Sequence, residues 1–388
     1  MTRIYINDFA VMSRLGMNAE AMRESLTSAN PPRPDTPFSL LDGQSTQVAR
    51  LPAALPDIPG VRTRTNRIAS ALLAQLPEGM EALLNTHDRS RVAVVVGTST
   101  TGIEEALTKL SGRMKTGNWE EDFRLADQEL GDLAAHIQTQ AGTTGPAYAV
   151  STACTSATKA ILSAARLIRT GLADAAICGG VDSLAQLTVN GFHALASVSP
   201  GQCAPFSRNR NGINIGEGGA LFLISKTPSQ WELAGGGESS DAHHISAPDP
   251  SGAQAERAIR TALQSAGLAP DQIDFVHMHG TGTQQNDQAE AGIVNRIFGP
   301  HMPAMSTKGM TGHTLGAAGG LQLAINLICM REGIYPPHIY DGALDETLAP
   351  IALTKQQQRA SSRLDRSICA SYAFGGSNAA LVVSRALS

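Results

Sequence analysis

The stretch STACTSATKA (151–160) sets a single thiol, Cys154, among small and hydroxylated side chains, where the apolar run 148–150 gives way to a helical pattern. The residues that follow, SATKAILSAARLIRTG, put Ile161, Ala164, Ala165 and Ile168 on one face and end at Gly171. A helix with a C-terminal glycine is predicted, with Cys154 in its first turn. Unpaired N–H groups and the helix dipole at such a position favour a thiolate, the form of cysteine that attacks carbonyl carbon. A buried structural thiol is the competing reading. Cys178, Cys329 and Cys369 lie in apolar runs and keep that reading, while Cys203, in a polar loop, is open to either.

Histidines form the second group. HMHGTGTQQND (277–287) follows a strand-like run, and His277 and His279, two apart, share one face of it. A metal site needs a further ligand, and only the loose pair His243 and His244 is on offer, so no metal is expected. The alternatives for His279 are a satisfied core histidine, or a side chain at the strand's C-terminal end facing the crevice where open α/β sheets take ligands, with Thr281 and Thr283 beside it. In STKGMTGHTLGAAGG (306–320), Lys308 and His313 stand five apart in a glycine-rich segment, which suggests backbone held close to a ligand. A nucleotide reading fails there for want of GK[ST] and of an acidic residue at the ribose distance. It fails again at GTSTTG (97–102), and GEGG (216–219) runs into the strand ALFLIS rather than a helix. AFGGSN (373–378) ends a strand with glycines that allow a sharp turn and expose N–H groups, a nest able to hold an oxyanion or simply a tight turn.

These groups must be positioned by alternating strands and helices. Strand-like RVAVVVG (91–97), YAVST, AAICGG (175–180), IDFVHMHG (273–280), ICASYAF and ALVVS are separated by helical patterns near 104–110, 125–140, after Cys154, and at 253–266, 288–298 and 319–330. That alternation predicts an α/β fold with a largely parallel, buried sheet. Three features recur in order: VVVGTST with VHMHGTGT, AARLIRTG with AINLICMREG, and CGGVD with FGGSN. A duplicated unit follows, with its seam in the Pro- and Gly-bearing tract 226–237 and halves at 1–228 and 229–388. A site shared between the halves is then natural.

Bulk composition narrows the class. A chain of 388 residues with 42% hydrophobic content can bury a large core, which excludes a disordered or fibrous protein. A net charge of −4 without basic runs gives no footprint for nucleic acid. Arg3 and Asp8 interrupt the N-terminal apolar stretch and no window reaches 18 apolar residues, so no membrane span is expected. Five widely spaced cysteines without CxxC pairs suit reduced thiols, and a cytoplasmic location is expected.

Taken jointly, TACTS, HGTGT, TKGMTGH followed by LGAAG, and FGGSN resemble the β-ketoacyl-[acyl carrier protein] synthases of the Cys-His-His kind, in the thiolase superfamily. The resemblance runs over nearly the whole chain. It implies a thiolase-like, five-layered α-β-α-β-α fold of two similar halves. By the same resemblance Cys154 would take an acyl chain, with its own N–H and that of Phe374 forming the oxyanion hole. His279 and His313 would stabilise the enolate left when malonyl-carrier protein loses CO₂, and Lys308, paired with Glu290, would orient them. Thr281 and Thr283 match positions that bind phosphopantetheine, and Phe374 matches a gating aromatic. No cofactor is implied beyond the phosphopantetheine of the acyl carrier protein. That carrier is the implied partner, together with a second subunit: the same chain, or a cysteine-less chain-length-factor paralogue.

Two departures stand out: Ala373 where many members have glycine, and a short segment between Gly112 and Gly142. GTSTTGI, DQELGD, VNGF and SPGQCAPF are most similar to the ketosynthases of aryl polyene pathways. A chain-length factor lacks the nucleophile, a degradative thiolase needs a second cysteine near the C-terminus, and a non-catalytic carrier-binding module needs no such Cys, His, Lys, His set.

Overall fold

The computed structural model describes residues 2–386. The N-terminal half runs β1 (Tyr5–Met12), α1 (Ala19–Thr27), β2 (Thr36–Ser39), β3 (Ser45–Val48), α2 (Arg64–Leu73), α3 (Pro77–Thr86) and β4 (Val92–Gly97). It continues through α4 (Ile103–Thr116), α5 (Asp132–Ala141), β5 (Ala147–Val150), α6 (Ser156–Arg169), β6 (Ala175–Asp182), α7 (Gln186–Ala194) and β7 (Gly218–Ser225). The C-terminal half holds β8 (Trp231–Ser240), α8 (Ala253–Ala266), β9 (Phe275–His277), α9 (Gln284–Phe298), β10 (Pro303–Met305) and the single turn α10 (Lys308–Thr311). It ends with α11 (Ala318–Glu332), β11 (Ala352–Leu353), β12 (Arg366–Tyr372) and β13 (Ser377–Arg385).

The duplication read from the sequence is visible in the strand order. The first half is ordered β5-β4-β6-β7-β1 and the second β10-β9-β12-β13-β8, with β11 added outside β10. Directions match as well: β4 is parallel to β5 and β6, as β9 is to β10 and β12, and the last two strands of each half run antiparallel. A short antiparallel pairing of Tyr5 and Ile6 with Glu232 and Trp231 joins the halves into one eleven-stranded array among the described residues.

Alternation along the strands builds the layers. On β4, Val92, Val94 and Val96 face an outer cluster with Ile68 and Leu72 of α2 and Ile137 of α5, while Ala93 and Val95 face inward against α6. On the other side, Val276, Ile368 and Val382 pack against Ile259 of α8 and Val294 of α9. Between the sheets lie α6 and α11. From Ala318 to Met330 every residue of α11 is buried, as a helix enclosed on all sides requires. The result is the α-β-α-β-α body implied by the resemblance. Each fully buried Val or Ile of these clusters contributes about 1.5–3 kcal/mol of hydrophobic stabilisation.

Three expectations change. The tract 226–237, read as a break, contains most of β8; Gly235 and Gly237 are there because a Cβ would strike the Ala262 and Ala258 carbonyl oxygens of α8 at 2.3 and 2.0 Å. The helix expected over 125–140 begins only at Asp132, after a 3₁₀ turn at Leu125–Gln128, with Gly131, a poor residue for a helix interior, at its N-cap. The glycine pairs of CGGVD and FGGSN are not equivalent: Gly179 and Gly180 lie within β6, whereas Gly375 (φ +85°) and Gly376 (φ +79°) turn the chain from β12 into β13.

Candidate active site

Each candidate residue comes from the end of an element. Cys154 lies in the β5–α6 connection, immediately before the helix cap Thr155 rather than within the first turn. Ala153 adopts φ +49°, a left-handed conformation costly for a side chain with a Cβ, and this turn directs the sulfur inward. Ser156 stabilises the turn: its Oγ accepts from Thr152 N–H (2.9 Å) and donates to the Ala153 carbonyl. His279 follows β9, Lys308 opens α10, and His313 lies in the loop from α10 to α11. Phe374 sits in the β12–β13 turn, its ring 5.4 Å from that of Phe192 on α7.

The sulfur and the imidazoles converge. Ligand atoms of Cys154, His279 and His313 all lie within 4.8 Å of one another, and all three residues are buried. His313 Nε2 is 3.1 Å from Cys154 Sγ. Its other nitrogen, Nδ1, accepts the Leu315 N–H at 3.1 Å, so the neutral ring carries its proton on Nε2. Lys308 Nζ donates to the His279 carbonyl and lies 3.4 Å from His279 Nδ1, which sets the same tautomer in the second ring. Burial, followed by the charge of Lys308, holds both histidines well below the ordinary histidine pKa, so they are neutral donors. One thiol and two imidazoles are also a donor set a transition metal would take. A ligating imidazole donates its distal N–H outward, however, and here the distal nitrogens accept instead.

His277 takes no part in this centre. It is held by Asn326 Oδ1 (2.7 Å) and Thr307 Oγ1 (3.0 Å) as a satisfied core histidine, and His243 and His244 lie on an exposed loop. Cys203 is also buried, its thiol donating to the Thr281 carbonyl at 3.2 Å. Thr281 and Thr283 share a hydroxyl contact of 2.9 Å at the wall of a cavity of about 550 Å³, which Cys154, His279, His313, Phe192 and Phe374 also line.

Two expectations about the site are corrected. Among the described residues no ion pair within 4.0 Å joins Lys308 to Glu290. Both Glu290 oxygens are taken by the N–H groups of His279 and Gly280, each at 2.6 Å, while Lys308 holds the His279 carbonyl. The two charges grip the same peptide from opposite sides. The thiol, in turn, is not a resting thiolate: burial pushes Cys154 up to about 11, against the lowering effects of Lys308 and of the N–H groups of Cys154 and Phe374. The helix terminus is present, but desolvation outweighs it.

One buried residue was not singled out from the sequence as a functional candidate. Asp182, fully buried at the end of β6, accepts hydrogen bonds from Thr98, Ser99 and Thr100 and from the Gly316 N–H. The only signal was a carboxylate closing the apolar run AAICGGVD.

A protonated thiol under two imidazole N–H donors, with two main-chain N–H groups turned towards the sulfur, on a duplicated α/β body, defines the class of thiol-dependent condensing enzymes. Comparison with known proteins makes this specific. The N-terminal domain of β-ketoacyl synthase matches residues 43–229 and its C-terminal domain matches 231–340. A putative polyketide beta-ketoacyl synthase 1 of Streptomyces virginiae is 31% identical over 82% of this chain and 80% of its own. Nodulation protein E of Rhizobium meliloti is 33% identical over 65% of this chain, and the match spans just under two thirds of that relative (66%). Among solved structures, a ketosynthase in complex with its chain length factor from Xenorhabdus doucetiae superposes with a TM-score of 0.94, at 36% identity, over 99% of this chain and 98% of that one. The chain belongs to the β-ketoacyl synthase family.

Proposed function

We propose that this chain extends acyl groups by two carbons. Cys154 Sγ attacks the thioester carbonyl of an acyl carrier protein; the new C–S bond forms as the old one breaks, and the thiol proton leaves with the carrier's thiol. Malonyl-carrier protein then binds in its place and loses CO₂. The electron pair left on carbon is held as an enolate by the Nε2–H groups of His279 and His313. That carbon attacks the acyl-Cys154 carbonyl, whose oxygen faces the N–H groups of Cys154 and Phe374. Collapse releases the Cys154 thiolate and a 3-oxoacyl product on the carrier. Lys308 fixes the His279 tautomer, Glu290 holds the adjoining backbone, Thr281 and Thr283 receive the phosphopantetheine arm, and Phe374 gates the thiol. These steps call on no dissociable cofactor.

The observation that carries this reading is the pair of occupied Nδ1 atoms, which leaves two N–H donors directed at one point beside the sulfur. Preorganised donors aimed at developing charge usually lower such a barrier more than any other single effect. We assign the chain to polyketide-type synthesis of the aryl polyene kind, with a chain-length factor as second subunit. The Xenorhabdus relative, solved with its own chain length factor, supports that choice of partner. Five free, buried thiols support a reducing, cytoplasmic setting. Incubation with acyl-carrier protein is expected to add the acyl mass to Cys154, and an unmodified Cys154 would overturn the reading.

A further inference from the structure

Asp182 is a buried carboxylate that accepts six hydrogen bonds, against three each at the buried Asp287 and Glu290. Its Oδ1 accepts from Thr98 Oγ1 (2.9 Å), Ser99 N–H (2.7 Å), Thr100 N–H (2.9 Å) and Thr100 Oγ1 (2.8 Å). Its Oδ2 accepts from Ser99 Oγ (2.8 Å) and Gly316 N–H (2.6 Å). No Lys or Arg nitrogen lies within 4.0 Å of it among the described residues. A buried charge held only by neutral donors is expensive, and such an arrangement is retained where it fixes a geometry.

The geometry it fixes belongs to the other half. Gly316 follows Leu315, which adopts φ +51° and whose N–H sets the His313 tautomer. A non-glycine residue at that φ stays there only if its surroundings hold it. The bond from Gly316 to Asp182 ties this turn to β6, while Thr98–Thr100 tie the same carboxylate to the end of β4. An N-terminal-half side chain thus holds the residue next to the one whose N–H meets the His313 ring.

We propose that Asp182 is a positioning residue that clamps the Thr314–Gly316 turn and thereby keeps the His313 proton on Nε2, facing Cys154. This rests on the condensing function proposed above. Asp182→Asn tests it with little change of shape. The amide oxygen takes the Oδ1 position, which has four donors, so its NH₂ faces the Ser99 hydroxyl, which can turn to accept from it, and the Gly316 N–H, which cannot, and the Gly316 tether is released.

The variant is expected to lose about 10²-fold in the kcat of malonyl-carrier protein decarboxylation, the size of effect seen when one oxyanion donor is removed, with KM little changed. Nitrogen-15 histidine spectra should show His313 leaving the single Nε2–H tautomer. Cys154 should still be alkylated by iodoacetamide, with its profile moved to lower pH, because one negative charge is gone while Lys308, His279 and His313 still face the thiol. Wild-type kcat with an unchanged His313 spectrum would overturn the clamp. Equal losses in alkylation and decarboxylation would mark Asp182 as merely structural and overturn it too. Should Asp182→Asn not fold, Gly316→Ala presses a Cβ to 2.8 Å from the same Oδ2 and should give the same defect, and wild-type decarboxylation in it would overturn the clamp. Failure of the wild type itself to decarboxylate would count against the proposed function instead.

Discussion

The β5–α6 connection of the first half and the β10–α11 connection of the second occupy the same place in the two halves, yet they carry different chemistry. The first is short and tight, turning on Ala153 at φ +49° to set one sulfur before α6. The second is longer, winds through α10, and turns on Gly312 (φ +64°) and Leu315 (φ +51°) to bring in an ammonium and an imidazole. Duplication supplied two equivalent strand-to-helix corners. In the proposed function one corner supplies the nucleophile, and the other, with His279 after β9, supplies the hydrogen-bond donors. The carboxylates differ likewise: Glu290 shares the His279 peptide with Lys308, whereas Asp182 has no Lys or Arg nitrogen within 4.0 Å among the described residues and acts across the seam.

If the two corners divide the reaction this way, removing each should remove a different step. Cys154→Ala should cut condensation by at least about 10⁴-fold, measured as 3-oxoacyl product by mass spectrometry, while malonyl decarboxylation persists. His279→Ala should lose about 10²–10³-fold in CO₂ release, and condensation with it, while Cys154 still takes up an acyl chain. Equal residual decarboxylation in the two variants would break the comparison.

Acidity separates the corners less sharply. With the thiol pushed up to about 11, the thiolate fraction falls about tenfold for each unit of pH below that value, so alkylation of Cys154 by iodoacetamide should climb steeply between pH 7 and 9. The histidines are held neutral well below 6.5, so their titration should cause no fall in decarboxylation as pH drops from 7.5 through 6.5. Burial pushes the Glu290 carboxyl up to about 7, so a step of decarboxylation centred near pH 6.5 that persists in Glu290→Gln would show that a ring gains a proton there.

The smallest expected effect is at Ala153. Glycine relieves the left-handed strain and adds unfolded-state entropy, so Ala153→Gly should raise stability by no more than about 1 kcal/mol in urea unfolding.

Much of the site could be read from the sequence, because each reactive residue sits in a run of small residues at the end of a strand: TACTS, HGTGT, TKGMTGH, FGGSN. The alternation of strands and helices exposed the duplicated fold for the same reason, since buried parallel strands are continuous apolar runs. Other features depended on depth. The thiol's high pKa follows from burial, which spacing does not encode. Asp182 gains meaning only where β6 meets Gly316, 134 positions away along the chain. Lys308 and Glu290 both lie beside His279, but only the fold shows that each hydrogen-bonds its backbone while the two charges act on each other without direct contact. The glycines of β8 looked like a linker because close approach of a helix and the breaking of a strand call for the same residue.

The pairing of β1 with both β7 and β8 has a consequence for how the chain is made. Tyr5 leaves the ribosome long before its partners, Ser225 of the same half and Glu232 across the seam. Until they arrive, β1 is an unpaired apolar strand whose native contacts are among the most distant in the sequence. Closing that seam is a non-local event of the slow kind, and until it happens β1 presents an open strand edge.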